Sequence, residues 1–279
     1  MQFYPEGLSL PESIFAILRD LIHEHTGLFF DDKRRDVMAD RLSPLAQGRG
    51  FDSFMDYYYL LKYDGNATDE WQRVIDALAV QETFFWREID QVEALVKVLV
   101  PQYVAATPGK PLRIWCAACA TGEEPLSIAM ALNEAGWFDR LPIVIHASDA
   151  SPKAISKAER GLYGERSFRT LPAALKEKYF SAEGKQWRIS EVLQARVQWA
   201  TINLRHPAEV KPLASSAVIF CRNVFIYFSE EGIRSTVRSF WEMMPTPGYL
   251  CISVSESLLR VTNDFELQEI GGAFIYVKR

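Results

Sequence analysis

The stretch CAACATGEEP, Cys116 to Pro125, follows the apolar run LRIW and precedes LSIAMAL, whose apolar residues recur at helical spacing. A strand, a loop of small residues and a helix form the opening unit of a nucleotide-binding α/β sheet, whose ligand lies at the carboxyl end of the first strand. This loop has a single glycine, and its helix begins with two adjacent carboxylates, Glu123 and Glu124. Acidic side chains suit the positive end of a helix dipole but repel a pyrophosphate placed there. The loop therefore disfavours an anionic dinucleotide and suits a nucleoside with a cationic or hydrogen-donating tail, such as an α-amino group beside a sulfonium. S-adenosylmethionine has that chemistry.

Taken alone, Glu-Glu-Pro is simply a good first helical turn. The next apolar run, IVIHASDA, shifts the balance, because it ends in Asp149, 25 residues beyond Glu124. An acidic residue at the end of the second strand is where a ribose-binding carboxylate sits in such folds. Asp149 alone could cap the helix that starts near Pro152, but loop and carboxylate together point to a nucleoside. Cys116 and Cys119 lack a second ligand pair for zinc, since Cys221 and Cys251 stand singly in separate strand-like runs and His23, His25, His146 and His206 show no ligand spacing. A redox dithiol would open its helix with the first thiol, whereas both cysteines here precede the Gly-Glu-Glu turn. They read as packing, and no metal is expected.

Working outward, residues 103–111 contain the linker-like VAATPGK, and after it strand-like and helical runs alternate: LRIWCA, LSIAMALNEA, IVIHASDA, PKAISKAERG, RVQWATIN, SAVIFCRNVFIYF, a helix from Glu230 to Met244, GYLCISV, FELQEI and AFIYVKR. Such alternation is the signature of a parallel α/β sheet. A polar stretch between Gly161 and Arg196 interrupts it as an insertion. Residues 9–100, by contrast, read as helices only. Ile14, Phe15, Leu18, Leu21 and Ile22 share one face of the first, and Val37, Met38, Leu42 and Leu45 one face of the second. The second has Asp31 or Asp32 as its candidate cap and should bend or end at Pro44. FDSFMDYYYLLKY is a third helix, and DEWQRVIDALAV a fourth that runs on into QETFFWRE.

The composition bounds the function. At 279 residues the chain suits two domains, and 48% hydrophobic with 24% charged residues is ordinary for a soluble protein. The start, MQFYPEGLSLPESIF, lacks the basic and apolar regions of a secretory leader, no run is long enough to span a membrane, and the cysteines read as reduced, so a cytoplasmic location is expected. A formal charge of −5 argues against nucleic-acid binding.

The combination of ETFFWRE, IWCAACATGEEPLSIAMAL, ASDAS, INL and FCRNVFIYF resembles the CheR methyltransferases, which transfer a methyl group from S-adenosylmethionine to glutamate side chains of bacterial chemoreceptors. The resemblance runs from near Ile14 to the terminal AFIYVKR. It implies a Rossmann-like class I methyltransferase domain over 91–279, an all-helical N-terminal domain over 1–90, and an inserted antiparallel β-subdomain over about 162–196. It also implies cofactor contacts at Gln81, Thr83, Arg87, Glu124, Asp149, Asn203, Leu204, Arg222 and Asn223, with Arg87 and Tyr227 beside the transferred methyl. Glu124 would receive the methionyl ammonium or hold the loop that does, Asp149 would accept the ribose hydroxyls, and Asn203 would read the adenine edge. A glutamate carboxylate with a pKa near ~4.3 is already ionised at neutral pH, so transfer needs alignment rather than a base.

Three positions depart from the usual family pattern: Gln81 for Asn, Trp86 for Phe and Leu126 for Tyr. Gln81 reaches farther, and Trp86 is expected to enlarge the wall beside Arg87. Lys33 to Arg49 holds five basic residues against two acidic ones, and Arg34 and Arg41, seven apart, are expected on one face. A solvated face is the ordinary fate of such a run; the resemblance implies instead that Lys33, Arg34 and Arg41 meet the acidic methylation helices of a receptor. The insertion is short for the capture of a receptor's C-terminal pentapeptide by strand addition seen in some family members, so a pentapeptide-independent enzyme is expected; a monomer is expected as well. The rival reading is a non-catalytic module that binds S-adenosylmethionine or S-adenosylhomocysteine. The presence of Arg87 and Tyr227 favours the enzyme, and Gln81 and Trp86 are the hints against it.

Overall fold

A computed structural model describes residues 7–279. The opening MQFYPE, on which the leader reading partly rests, lies outside the described residues.

The parallel core forms where alternation predicts it. In β1 (Leu112–Ala117), Leu112, Ile114 and Cys116 face one hydrophobic cluster while Trp115 and Ala117 face another. Both faces of the strand are buried, which is why LRIWCA is a nearly continuous apolar run. β1 pairs in parallel with β2 (Ile143–Asp149) and β7 (Val218–Phe220), β2 pairs with β6 (Val197–Thr201), and β7 with β8 (Gly248–Cys251). The last two strands, β9 (Glu266–Ile270) and β10 (Ala273–Lys278), are antiparallel, giving the seven-stranded order β6-β2-β1-β7-β8-β10-β9. The strand order reverses at β1, so the loops after β1 and β7 open onto one crevice.

The polar stretch after Gly161 forms a separate antiparallel sheet of β3 (Leu162–Tyr163), β4 (Phe180–Glu183) and β5 (Gln186–Ile189), in the order β3-β5-β4. Its core side chains, Tyr163, Phe168, Phe180 and Ile189, belong to the same cluster as Ile114 and Ile145.

The N-terminal helices α1 (Glu12–Thr26), α2 (Arg35–Gly48), α3 (Phe54–Tyr63) and α4 (Thr68–Leu78) enclose their own core around Phe15, Leu18, Met38, Leu42, Tyr57 and Val74. Inside it Glu70 accepts from Tyr57 Oη at 2.8 Å and pairs with Arg49 Nη2 at 2.6 Å, so its burial leaves no naked charge.

Several expectations need correction. α2 runs through Pro44 to Gly48, because Pro44 lies on the exposed side while Met38, Leu42 and Ala46 anchor the opposite face in the core; a lost main-chain bond is tolerable there. Neither Asp31 nor Asp32 caps α2: Asp32 opens the turn Asp32–Arg34, Asp31 precedes that turn, and Arg34 itself is the residue before the helix. Val37 is exposed rather than on the core face. QETFFWRE does not continue α4 but forms an extended piece followed by turns, with Trp86 (φ 68°) and Glu88 (φ 46°) left-handed. FCRNVFIYF is strand only through Phe220, and Tyr227 ends a 3-10 turn, Phe225–Tyr227.

The helical unit docks on the sheet at the end of α1. Gly27, at φ 79°, turns the chain so that Leu28 bridges Phe228 and Phe29 N–H donates to the Tyr227 carbonyl at 2.8 Å. His23 Nε2 lies 2.7 Å from Ser229 Oγ, and Asn203 Nδ2 donates to the His25 carbonyl at 2.8 Å. A Cβ on Gly27 would meet the Phe228 ring at 2.8 Å and Arg205 Cδ at 3.1 Å.

Two predictions follow from this docking. Gly27→Ala should lower stability in urea by about 1–3 kcal/mol through strain and collision together. Gly50→Ala, also left-handed at φ 81° but with open space around it, should lose only the backbone part, about 1 kcal/mol. Equal losses would show that the docking contact is slack. Burial, followed by Arg205 for His23 and by His206 for His25, holds both imidazoles below the ordinary histidine range. The unfolded chain then binds more protons as pH falls through that range near ~6.5, so this share of stability is present at pH 7.5 and lost on acidification. A His23→Gln/His25→Phe variant should show a smaller drop in melting temperature between pH 7.5 and 5.5 than the parent, measured by circular dichroism; an equal drop would exclude these histidines.

Candidate functional site

Where the strand order reverses, a cleft opens between the two units. Thr26, Leu28, Ile75 and Ala79 of the helical unit form one wall, and the connector from Val80 to Arg87 together with the loops after β1, β2, β6 and β7 forms the rest.

Those loops are shaped by unusual backbone. Ala118 (φ 60°), Ala120 (φ 48°) and Gly122 (φ 95°) are all left-handed, so CAACATG winds tightly at the strand end. Gly122 is obligatory on space as well as conformation: a Cβ there would meet Trp199 at 2.8 Å and Ala158 at 2.9 Å. Asp149 holds the turn, accepting Ala120 N–H on Oδ2 and Ser151 N–H on Oδ1, both at 2.9 Å. Burial raises its pKa, and these backbone bonds resist the rise. Each oxygen keeps a further lone pair, enough for a pair of hydroxyls in the cleft.

The two carboxylates opening α7 (Glu123–Glu134) part company. Glu123 is buried away from the cleft, accepting from Thr121 Oγ1 at 2.6 Å and from Ser167 Oγ of the inserted region at 2.9 Å, and burial raises its pKa. Glu124 lines the cleft and pairs with Arg222, whose Nε donates to Oε2 at 2.6 Å. Arg222 is itself buried, and its other nitrogens donate to the carbonyls of Glu88 (2.8 Å) and Arg87 (3.0 Å). Burial alone would lower the guanidinium pKa, but Glu124 and Glu88 outweigh it and raise it. A permanently charged, fully engaged Arg222 thus ties three elements together.

Eight of the nine residues expected to contact the cofactor line this cleft: Thr83, Arg87, Glu124, Asp149, Asn203, Leu204, Arg222 and Asn223. Gln81 does not; its Nε2 donates at 3.2 Å to Ser151 Oγ, which in turn donates to Asp76. Trp86 is likewise off the cleft, packed against the main core with its N–H on Ser127 Oγ at 3.0 Å, so it does not enlarge the wall beside Arg87. Leu126 is fully buried in that core. Asn203 is already bonded at both ends of its amide, to His25 O and to Arg205 N–H, leaving one hydrogen and one lone pair. Asn223 is left-handed (φ 59°), and its Nδ2 donates to Ser253 Oγ at 2.7 Å.

Arg87 and Tyr227 meet at the cleft. Arg87 is partly exposed, with Nη1 donating to the Glu82 carbonyl at 2.9 Å; the Tyr227 hydroxyl has no hydrogen-bond partner among the described residues. Tyr227 also lines a neighbouring groove with Arg34, Val37 and Arg41, although Arg41 Nη1 is tied to the Leu78 carbonyl at 2.8 Å. Lys33 is exposed beside the groove's Arg34, in the turn before α2. All four cysteines are buried and free, and burial pushes the Cys116 and Cys119 thiols up, as packing residues require.

Sequence reasoning missed the helical wall and the supports of the site, namely Ser127, Glu88, Ser253 and Glu256. Glu256 accepts the N–H groups of Asn223, Val224 and Phe225 at 2.8–3.0 Å and so fixes the turn that carries Tyr227. A Glu between serines in VSESLL carries no local signal of that role.

Glu124→Ala would leave Arg222 buried with only Glu88 Oε2, 4.0 Å away, as counter-charge. It should lower unfolding stability by about 3 kcal/mol, the lower end for breaking a buried pair. A loss under about 0.5 kcal/mol in chemical denaturation, the scale of an exposed pair, would contradict the pairing described.

Comparison with known proteins gives a consistent result. The all-alpha domain of CheR methyltransferases matches residues 14–79, and the SAM binding domain of CheR methyltransferases matches residues 81–273. Chemotaxis protein methyltransferase 2 of Vibrio cholerae is 36% identical over 273 residues, covering 96% of this chain and 94% of that protein. A chemotaxis protein methyltransferase of Borreliella burgdorferi is 30% identical over 260 residues, covering 90% of each, and chemotaxis protein methyltransferase 1 of Pseudomonas aeruginosa is 26% identical over 275 residues, covering 96% of this chain and 99% of that one. With both family domains matched in order along a helical unit and a seven-stranded sheet that close on one cleft, the chain belongs to the CheR methyltransferase family.

Proposed function

We propose that this protein is a cytoplasmic protein-glutamate O-methyltransferase that esterifies glutamate side chains on the cytoplasmic helices of a chemoreceptor. The observation that carries the reading is the convergence of Asp149, Glu124, Arg87 and an unpartnered Tyr227 hydroxyl on one cleft.

The cleft suits S-adenosylmethionine. Asp149 offers two lone pairs to ribose hydroxyls, Leu204 and Val224 offer apolar surface, and the Glu124 carboxylate at the start of α7 disfavours a phosphate at the helix N-terminus. Arg87 adds a bidentate donor for a carboxylate. When bound, the cofactor supplies an electrophilic methyl group on a sulfonium. The chain's own residues have a positioning task, because the acceptor carboxylate is ionised at neutral pH and no proton has to be removed. Arg87 can hold that carboxylate while remaining partly solvated, and the Tyr227 hydroxyl, free of other bonds, can donate to it. Arg222 and Glu256 act one step back, fixing the backbone of the Arg87 segment and of the Tyr227 turn. The groove beside Tyr227, with Leu28 and Val37 on its walls and Arg34 and Arg41 among its lining, suits an acidic amphipathic helix, and the exposed Lys33 adjoins Arg34 in the chain.

Incubation with methyl-labelled S-adenosylmethionine and a cognate receptor cytoplasmic domain should give base-labile label on receptor glutamates. Tyr227→Phe should leave cofactor affinity by calorimetry within about twofold while lowering kcat about 10-fold, the signature of an interaction specific to the transition state. Arg34→Glu should raise KM for the receptor and leave cofactor affinity unchanged. Cofactor binding without transfer to any receptor would identify a non-catalytic binding module instead, and full activity in Tyr227→Phe would remove Tyr227 from the chemistry.

A further inference from the structure

The segment from Glu82 to Glu88 carries Arg87 across the cleft mouth, yet it is neither helix nor strand and contains two left-handed residues. Its own backbone does not hold it. The inserted sheet grips one side. Phe85 is fully buried with ring centroids 4.8 Å from Tyr163, 5.4 Å from Phe168 and 5.0 Å from Phe180. Phe85 N–H donates to the Ser167 carbonyl at 2.9 Å, and its carbonyl accepts from Thr170 Oγ1 at 2.7 Å.

On the mouth side the same insertion extends Arg169. Its guanidinium carbon lies 3.7 Å from the centroid of the Phe84 ring, and its Nη2 donates to Glu82 Oε1 at 2.6 Å. Arg87 uses the same two residues: its guanidinium carbon is 5.4 Å from the Phe84 centroid and its Nη1 donates to the Glu82 main-chain carbonyl. Two cations sharing one aromatic ring would repel each other if neither were neutralised. The Glu82 carboxylate pairs with Arg169, and the hydrogen bond from Arg169 is the main reason its pKa is lowered. Arg87 is left with only a long contact to Glu88, 3.9 Å from Nε to Oε1, and so keeps donors for an anion at the cleft.

We propose that Arg169 is a positioning residue for methyl transfer: by stacking on Phe84 and pairing with Glu82 it braces the ring and the carbonyl against which Arg87 rests. The inserted sheet thus sets the direction of Arg87. This rests on the reading of Arg87 as the residue that aligns the acceptor carboxylate. The Arg169–Glu82 pair is 43% and 64% exposed, so it adds little to global stability, and its effect is local.

The test uses the full chain with Arg169→Ala and Arg169→Lys. In Arg169→Ala, kcat for a cognate receptor domain should fall about 10-fold with KM and cofactor affinity each within about threefold, since misaligned reacting groups lose rate before binding. Amide exchange over residues 83–88 should speed up while α7 is unaffected, with an unchanged melting temperature. Lysine keeps the charge but not the planar stack, and should recover part of kcat. Unchanged kcat and exchange would overturn the proposal. So would a rise in KM alone, which would place Arg169 in contact with the receptor, or a parallel loss of cofactor affinity and melting temperature, which would make it a structural residue. If the parent transfers no methyl group to any receptor, the methyltransferase reading fails, while the exchange measurement still decides whether Arg169 braces the segment.

Discussion

A buried guanidinium holds the site together. Arg222 leaves the end of the β7 region, pairs with Glu124 at the start of α7, and caps the carbonyls of Arg87 and Glu88 in the connector between the two units. Burying that charge is tolerable only because its donors meet a carboxylate and main-chain acceptors at close range. In return it stabilises a connector with two left-handed residues, a conformation that costs about 1–3 kcal/mol per residue without outside support. Residues that look like independent cofactor contacts along the chain are therefore one mechanical unit.

The same interdependence shapes the rest of the cleft. Asp149 cannot be described as a ribose acceptor alone, since both of its oxygens already hold the backbone of neighbouring turns. Asn203 joins the sheet to the last turn of α1, and Glu256 gathers the N–H groups of the Tyr227 turn. Each side chain supports the scaffold with part of its hydrogen-bonding capacity and presents the remainder to the cleft. That economy preorganises the site, because the groups facing the ligand have little rotational freedom left to lose.

The helical unit closes one side of the crevice rather than standing apart from it. Thr26 and Ile75 sit on helices with their own core and Leu28 and Ala79 just beyond them, yet all four line the cleft, and the Leu28–Phe228 bridge brings that unit against the turn carrying Tyr227. The apolar groove with Arg34 and Arg41 consequently runs up to the same tyrosine. The groove and the cleft thus share the Tyr227 side chain at their boundary, which under the proposed function is where receptor and cofactor would meet.

Much of the fold was legible in the sequence, because parallel strands buried on both faces read as continuous apolar runs and helices as runs of period 3.6. LRIWCA, IVIHASD and LSIAMAL declared themselves in that way, and the small residues of CAACATG announced a tight loop at a strand end. Of the eight expected cofactor residues that meet at one cleft, Glu124, Asp149, Asn203, Leu204, Arg222 and Asn223 flank strand ends, which the alternating pattern already locates, whereas Thr83 and Arg87 arrive on the connector between the two units. Pro44 misled because a proline on the exposed side of an anchored helix removes one bond without dislodging the helix. FCRNVFIYF misled because an apolar run looks the same whether it lies in a strand or packs as a turn. The assignment of Glu123 to the inserted region and Glu124 to the cleft, the turning away of Gln81 and Trp86, and the bracing of Arg87 by Arg169 all depend on which way neighbouring side chains point. Those directions are set by contacts between residues far apart in the chain, and only the tertiary structure decides them.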